Sequence, residues 1–186
     1  MHFFIKVKKE LSQKIEIPEG VEVDIEGRTL NVRGPEGENK RNFNFGKLNI
    51  EKNDRTITIG NKKSTKIEKK MMNTIVSHIK NMIKGVQEKF EYRLKICFNH
   101  FPITVEIKDN EAVIKNFLGE KVPRKMKIHE GVDIKIDRDI IIINSINKEL
   151  AGQTAADFES ATKIRKRDRR IFQDGIYIIN KNNREI

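Results

Sequence analysis

The strongest constraint on how this chain folds is that it is written twice. Val23 to Glu38 reads VDIEGRTLNVRGPEGE, and Val105 to Glu120 reads VEIKDNEAVIKNFLGE. Val23 falls on Val105, Ile25 on Ile107, Leu30 on Ala112 and Val32 on Ile114. Gly37-Glu38 then falls on Gly119-Glu120. Farther along, DRTITI (Asp54 to Ile59) matches DRDIII (Asp137 to Ile142), with the spacing moved by one residue from 82 to 83. Apolar positions that stay in phase over two such stretches predict a duplicated domain.

Within each copy, segments such as VEVDI, TLNVR and TITI alternate apolar and polar residues, the period of half-buried strands. Gly20, Gly27 and Gly34-Pro35 mark turns in the first copy; Asp109-Asn110 and Gly119 mark them in the second. Each copy ends in a helix. In STKIEKKMMNTIVSHIKNMIKG, Ile67, Met71, Ile75, Ile79 and Ile83 recur at four-residue spacing, Thr65 and Glu68 form a capping box, and Gly85 suits the end. The second helix, about 147–163, has a face of small residues: Leu150, Ala151, Ala155, Phe158 and Ala161. Such a face packs closely, on its own sheet or on another molecule's backbone. The predicted fold class is α+β. It comprises two tandem, duplicated domains at 1–85 and 86–186, joined near Gly85 to Tyr92, each a small mostly antiparallel β-sheet packed against one α-helix.

Of the 186 residues, 37% are hydrophobic and 35% charged, which allows a lean core. No apolar run approaches the length of a membrane span. The opening MHFFIKVKKE is too short and too charged for a secretory signal. The lone Cys97 fits a reducing compartment and reads as a small buried hydrophobe rather than a nucleophile. A formal net charge of +11 calls for a polyanionic partner.

Catalytic chemistry is hard to find. His2, His78, His100 and His129 stand at no metal-ligand spacing with one another or with Cys97. His129-Glu130 reads as a solvated turn. RGPEGE lacks the Lys-Ser/Thr of a phosphate-gripping loop. Asp24, Glu26, Asp137 and Asp139 alternate along strands as surface carboxylates do. No catalytic residue, metal, cofactor or small-molecule substrate is expected.

The charge itself is concentrated. Lys163, Arg165, Lys166, Arg167, Arg169 and Arg170 fall within eight residues, directly before IFQDGIYI. They do not share one helical stripe, so the helix is predicted to stop near Lys163-Ile164 and a tight segment to follow. Arginine forks held on a fixed loop reach phosphates bidentately. Asp168 interrupts the run, placed to orient Arg167 or Arg169. Asp174-Gly175, flanked by Ile171, Phe172, Ile176 and Ile178, signals a hairpin. Tyr177 reads as a packed strand aromatic, the alternative being a ring that stacks on a base. The segment is then a clamp of cations between helix and hairpin; the alternative is a merely solvated charge run. Lys121, Arg124, Lys125 and Lys127 form a second basic cluster in the turn after NFLGE, matched by Lys40 and Arg41 in the first copy. With no recognition helix, zinc finger or basic zipper, folded RNA is favoured over DNA.

QTAADFESATKIRKRDRRIFQDGIYI (Gln153 to Ile178) resembles the C-terminal signature of the L-six ribosomal proteins, archaeal and eukaryotic branch (called L-nine in eukaryotic large subunits). The matching positions are Arg167, Arg170, Phe172, Asp174, Gly175, Ile176 and Tyr177, with Ile164 and Lys181 also fitting. IEIPEGVEVDIEGRTLNVRGPEGE (Ile15 to Glu38) is similar to the family's opening. Ser160 departs from the usual Gln, and FNFGKLNIEKNDRTITI is richer in lysine and asparagine than is typical. The resemblance implies two α+β domains related by duplication and a structural role in the cytoplasmic ribosome. The partners it implies are large-subunit rRNA near the factor-binding and sarcin–ricin region, neighbouring large-subunit ribosomal proteins, and translation factors nearby. It also implies that Lys163 to Arg170 bind rRNA, while Asp174-Gly175 and Tyr177 hold the fold. The competing readings are a non-ribosomal RNA-binding or RNA-processing protein and a peripheral membrane protein. The second lacks an amphipathic helix with a basic face opposite Phe or Leu.

Overall fold

A computed structural model describes residues 9–182 and 184–186. Most of the opening MHFFIKVKKE stretch, with His2, lies outside them. The described residues fall into two compact units that divide between Glu88 and Lys89.

In the first unit, β1 (Lys9–Glu16), β6 (Thr56–Ser64) and β5 (Asn49–Asn53) form one antiparallel sheet in that order. β2 (Glu22–Glu26), β3 (Thr29–Gly34) and β4 (Gly37–Asn42) form a second. Helix α1 (Lys66–Gln87) closes the unit. The second unit repeats this order. β7 (Phe90–Cys97), β12 (Ile140–Ser145) and β11 (Asp133–Asp137) stand where β1, β6 and β5 stood. β8 (Thr104–Lys108), β9 (Glu111–Lys115) and β10 (Arg124–Lys127) take the places of β2, β3 and β4, and α2 (Lys148–Ala161) that of α1. The duplication reaches individual pairs. Val23 faces Val32 and Ile25 faces Leu30 in the first unit; Val105 faces Ile114 and Ile107 faces Ala112 in the second. Among the described residues each unit therefore holds two small antiparallel sheets and one α-helix, where the sequence suggested a single sheet.

The two units differ at one edge. In the second, β13 (Gly175–Lys181) adds to the free side of β7 and carries β14 (Arg184–Glu185), giving the order β11-β12-β7-β13-β14. β7 thus becomes a central strand. Phe90, Tyr92, Leu94 and Ile96 point into the core, alternating with Glu91, Arg93, Lys95 and Cys97, as the pleat requires. Cys97 is half-buried rather than enclosed.

α2 settles its packing on its own sheet. Ala151, Thr154, Ala155 and Phe158 are all fully enclosed. The small residues let the helix sit low; a Cβ on Gly152 would lie 3.3 Å from the Tyr92 hydroxyl.

α1 keeps its Thr65–Glu68 capping box, with the Glu68 carboxylate accepting the Thr65 N–H at 2.7 Å. Its buried face keeps Ile75, Ile79 and Ile83 of the predicted row but loses the row's first two members, Ile67 and Met71. Ile67 is 73% exposed, and the enclosed row is Met72, Ile75, Val76, Ile79, Met82, Ile83 and Val86. Four residues overshoot a helical turn by about 40°, so a strict four-residue row winds off its face. The helix also runs past Gly85, which is buried, to Gln87.

Candidate nucleic-acid interface

Adding β13 to the second sheet creates a connection that the first unit lacks, and residues 163–174 are that connection. Both of its ends are pinned. At the helix side the Thr162 hydroxyl donates to the Phe158 carbonyl at 3.1 Å and accepts the Ile176 N–H at 3.0 Å. The Glu159 carboxylate accepts the Ile178 N–H at 3.0 Å. At the strand side Asp174, fully enclosed, accepts the Asn99 N–H at 2.7 Å and contacts a His100 ring nitrogen at 3.0 Å. A buried carboxylate needs such partners, and these reach across some 75 residues of chain.

Asp174-Gly175 is therefore not the predicted hairpin. Gly175 opens β13 opposite Cys97, and the actual turn follows Lys181, through Asn182 in the left-handed region. The carboxylate that in a hairpin would bond its own turn here bonds a distant loop.

Between the pinned ends, Lys163, Arg165, Lys166, Arg167, Arg169 and Arg170 are all exposed, while Ile164 is buried and Phe172 half-buried beneath them. The helix ends at Ala161. Lys166 adopts φ 59°, which turns the chain sharply. Asp168 organises the next turn. Its side chain accepts the Arg170 N–H at 2.9 Å and its carbonyl accepts the Phe172 N–H, also at 2.9 Å. It does not orient Arg167 or Arg169 as expected. Arg167 instead lies over the Phe172 ring, 4.9 Å from its centre, and His100 stacks on the same ring at 4.8 Å. The cations are thus presented from a fixed frame, which a solvated charge run would not have.

Arg124 leaves the predicted contact set. Its guanidinium pairs with both Glu120 oxygens, at 2.8 and 2.6 Å, and lies 4.2 Å from the centre of the Phe117 ring. It also donates to the carbonyls of Ala161 at 2.7 Å and Lys163 at 3.3 Å. Arg124 ties β10 to the start of the basic loop and has little left for phosphate. The hydrogen bond from Arg124 holds the Glu120 carboxyl below its ordinary range, with the charges of Arg124 and Arg167 adding to it. Lys121, Lys125 and Lys127 remain exposed; the last three of this cluster lie on strand β10 rather than in a turn. Lys125 stands 3.8 Å from Glu111.

His129 is not merely solvated. A ring nitrogen lies 3.1 Å from the Asp157 carboxylate, whose other oxygen accepts from Gln153 at 2.9 Å. Among the described residues, no group of three or more His, Cys, Asp or Glu is arranged to hold a metal, and no helix is long and apolar enough to cross a membrane. In the first unit, Lys40 and Arg41 lie on β4, and Arg41 sits 5.4 Å from the centre of Phe43. Lys66, Lys70, Lys80 and Lys84 line the exposed side of α1, recurring at helical spacing away from its buried row.

The family model for ribosomal protein L6 matches residues 17–89 and again 101–175, one match in each unit. The chain belongs to the ribosomal protein L6 family. L6 proteins are structural rather than enzymatic, in keeping with a site built of cations and anchors. The large ribosomal subunit protein uL6 of Methanothrix thermoacetophila is 43% identical over 173 residues, covering 93% of this chain and 98% of its own. The uL6 protein of Methanobrevibacter smithii is 44% identical over 171 residues, covering 92% and 96%. That of Methanococcus vannielii is 44% identical over 171 residues, covering 92% and 94%. The second L6 match ends at Gly175, so it takes in the whole basic loop with Thr162 and Asp174, while their partners Ile176, Asn99 and His100 fall just outside it.

Proposed function

We propose that this chain is a structural constituent of the large ribosomal subunit, holding rRNA through the loop that carries Lys163, Arg165, Lys166, Arg167, Arg169 and Arg170. The observation that carries this reading is the combination of six exposed cations with a loop pinned at both ends. A fixed cationic frame loses little conformational entropy on meeting a phosphate backbone, and its arginines match phosphate geometry. Lys121, Lys125 and Lys127 extend the surface; Arg124 supports it from beneath. The relatives' shared name supports the choice of subunit. Binding lies near the factor-binding and sarcin–ricin region, where the chain adjoins other large-subunit proteins, comes close to translation factors and supports translation in the cytoplasmic ribosome.

Sedimentation of cell lysate through sucrose, with this chain followed in every fraction, tests the reading. Co-migration with large subunits, whole ribosomes and polysomes through a high-salt wash is the expected result. A chain left at the top of the gradient would instead favour a free RNA partner.

A further inference from the structure

Tyr177 is the residue whose surroundings depart most from what its sequence position suggests. It is 43% exposed, on the outer side of β13, while Ile176 beside it is fully enclosed. Yet the ring is not free. Its hydroxyl donates to the Gln173 carbonyl at 3.1 Å. A Cβ on Gly175 would lie 3.0 Å from the phenol oxygen and 3.1 Å from Cζ, so the ring lies against that glycine and needs it to be one. An aromatic side chain that is fixed at its far end, backed by bare backbone and still open to solvent is already ordered for stacking.

The ring borders a cleft of about 280 Å³ between the end of α2 and the basic loop. Ile164 and Phe172 supply apolar wall and Lys163 and Arg169 positive charge; Thr162, Gln173 and Glu159, whose carboxylate is engaged by the Ile178 N–H, complete the lining. The size lies at the lower end of the roughly 300–1,000 Å³ typical of small-ligand sites, which suits a single planar ring system. Gln173 is itself held, its Nε2 donating to the Arg170 carbonyl at 3.3 Å. Arg169 and Tyr177 line the same cleft.

We infer that this cleft takes one unpaired nucleobase of the bound RNA, stacked on Tyr177, with Lys163 and Arg169 on the phosphate of the same nucleotide. A base within an A-form duplex has both faces covered by its neighbours, so only a looped or bulged base can enter. The cations set the strength of binding along the backbone and the cleft selects where an unstacked base must fall. This inference rests on the proposal that the chain binds RNA through this loop.

The test measures binding of large-subunit rRNA, transcribed in vitro, to the full chain over a range of salt concentrations. The variants are Tyr177→Ala, Tyr177→Phe and the triple change Arg165→Gln, Arg167→Gln, Arg170→Gln. Tyr177→Ala is expected to lose roughly ten-fold in affinity with its salt dependence intact, as removal of a stacking platform does. Tyr177→Phe keeps the ring and retains most of the binding. Ultraviolet crosslinking of the wild-type complex, followed by peptide mapping, gives a readout independent of variant folding; a single base joined to the peptide carrying Tyr177 is expected. Wild-type affinity in Tyr177→Ala, or crosslinks confined to other peptides, overturns the cleft while leaving the cationic surface standing. Failure of the wild-type chain to bind the rRNA overturns both.

Discussion

The Thr162 hydroxyl accepts the Ile176 N–H at 3.0 Å while donating to the Phe158 carbonyl at 3.1 Å, and so closes the basic loop at its base. Thr162 is itself buried. Thr162→Val keeps the shape and leaves the Ile176 N–H without its partner, at a cost of about 1–3 kcal/mol. Urea unfolding measures the loss, and amide hydrogen exchange at Ile176 localises it. Slow exchange at Ile176 in the variant would mean that the hydroxyl does not close the loop.

Replacing Arg165, Arg167 and Arg170 together by Gln removes three exposed charges without touching either anchor. If about six phosphates are contacted, the logarithm of the binding constant falls against that of salt with a slope near −5, and the triple variant flattens it by roughly 2–3. Filter binding over a salt series reads the slope. A slope equal to the wild-type value would place the phosphates elsewhere.

Arg124 lies in the same basic stretch yet does different work. Arg124→Ala removes the pair with Glu120, the stack on Phe117 and the bonds to Ala161 and Lys163, so stability falls by about 1–3 kcal/mol. The salt slope changes little, because this guanidinium faces inward. Thermal unfolding and the same filter assay separate the two effects.

Glu120 adds a pH dependence whose sign follows from its partner. Its folded-state pKa lies below the ordinary 4.5, lowered first by the hydrogen bond from Arg124. The stabilisation is therefore complete above the unfolded value and is lost as pH falls through the folded one. Glu120→Gln should lower the urea midpoint at neutral pH and converge on wild type in acid. A difference that persists undiminished to about pH 3, below the ordinary carboxylate range, would assign the effect to packing instead.

Gly34 is held to glycine by contact rather than by a left-handed backbone. A Cβ there would lie 2.8 Å from the Val86 carbonyl oxygen, on the last turn of α1. Gly34→Ala forces helix and strand apart and destabilises the chain by about 1–3 kcal/mol in urea unfolding.

The elements themselves were largely legible from local pattern. Alternation located β2, β3, β8 and β9 together with the Asp109-Asn110 turn, whose two residues both adopt positive φ between Lys108 and Glu111. The Thr65–Glu68 box marked the start of α1. The buried row of α1 was less accessible. Choosing between Met71 and Met72 requires knowing which side of the helix meets β3 and β6.

Asp174, Arg124 and His129 show where local reading stops. Asp174 precedes a glycine and Arg124 belongs to a basic cluster, so composition alone assigns one to a turn and the other to the surface. Their partners, Asn99 and His100 for one and Ala161 and Lys163 for the other, lie about 37 to 75 residues away. His129 likewise finds Asp157 on α2.

By itself, the sequence determined the duplication, the α+β class, the positive charge and the stretch where it is densest, because periodicity and charge are properties of neighbouring residues. Only the tertiary structure decided which cations face solvent, which one braces the loop and which aromatic ring is left open. Those outcomes depend on β13 joining β7, and hydrogen bonds between distant strands leave no local pattern in the chain.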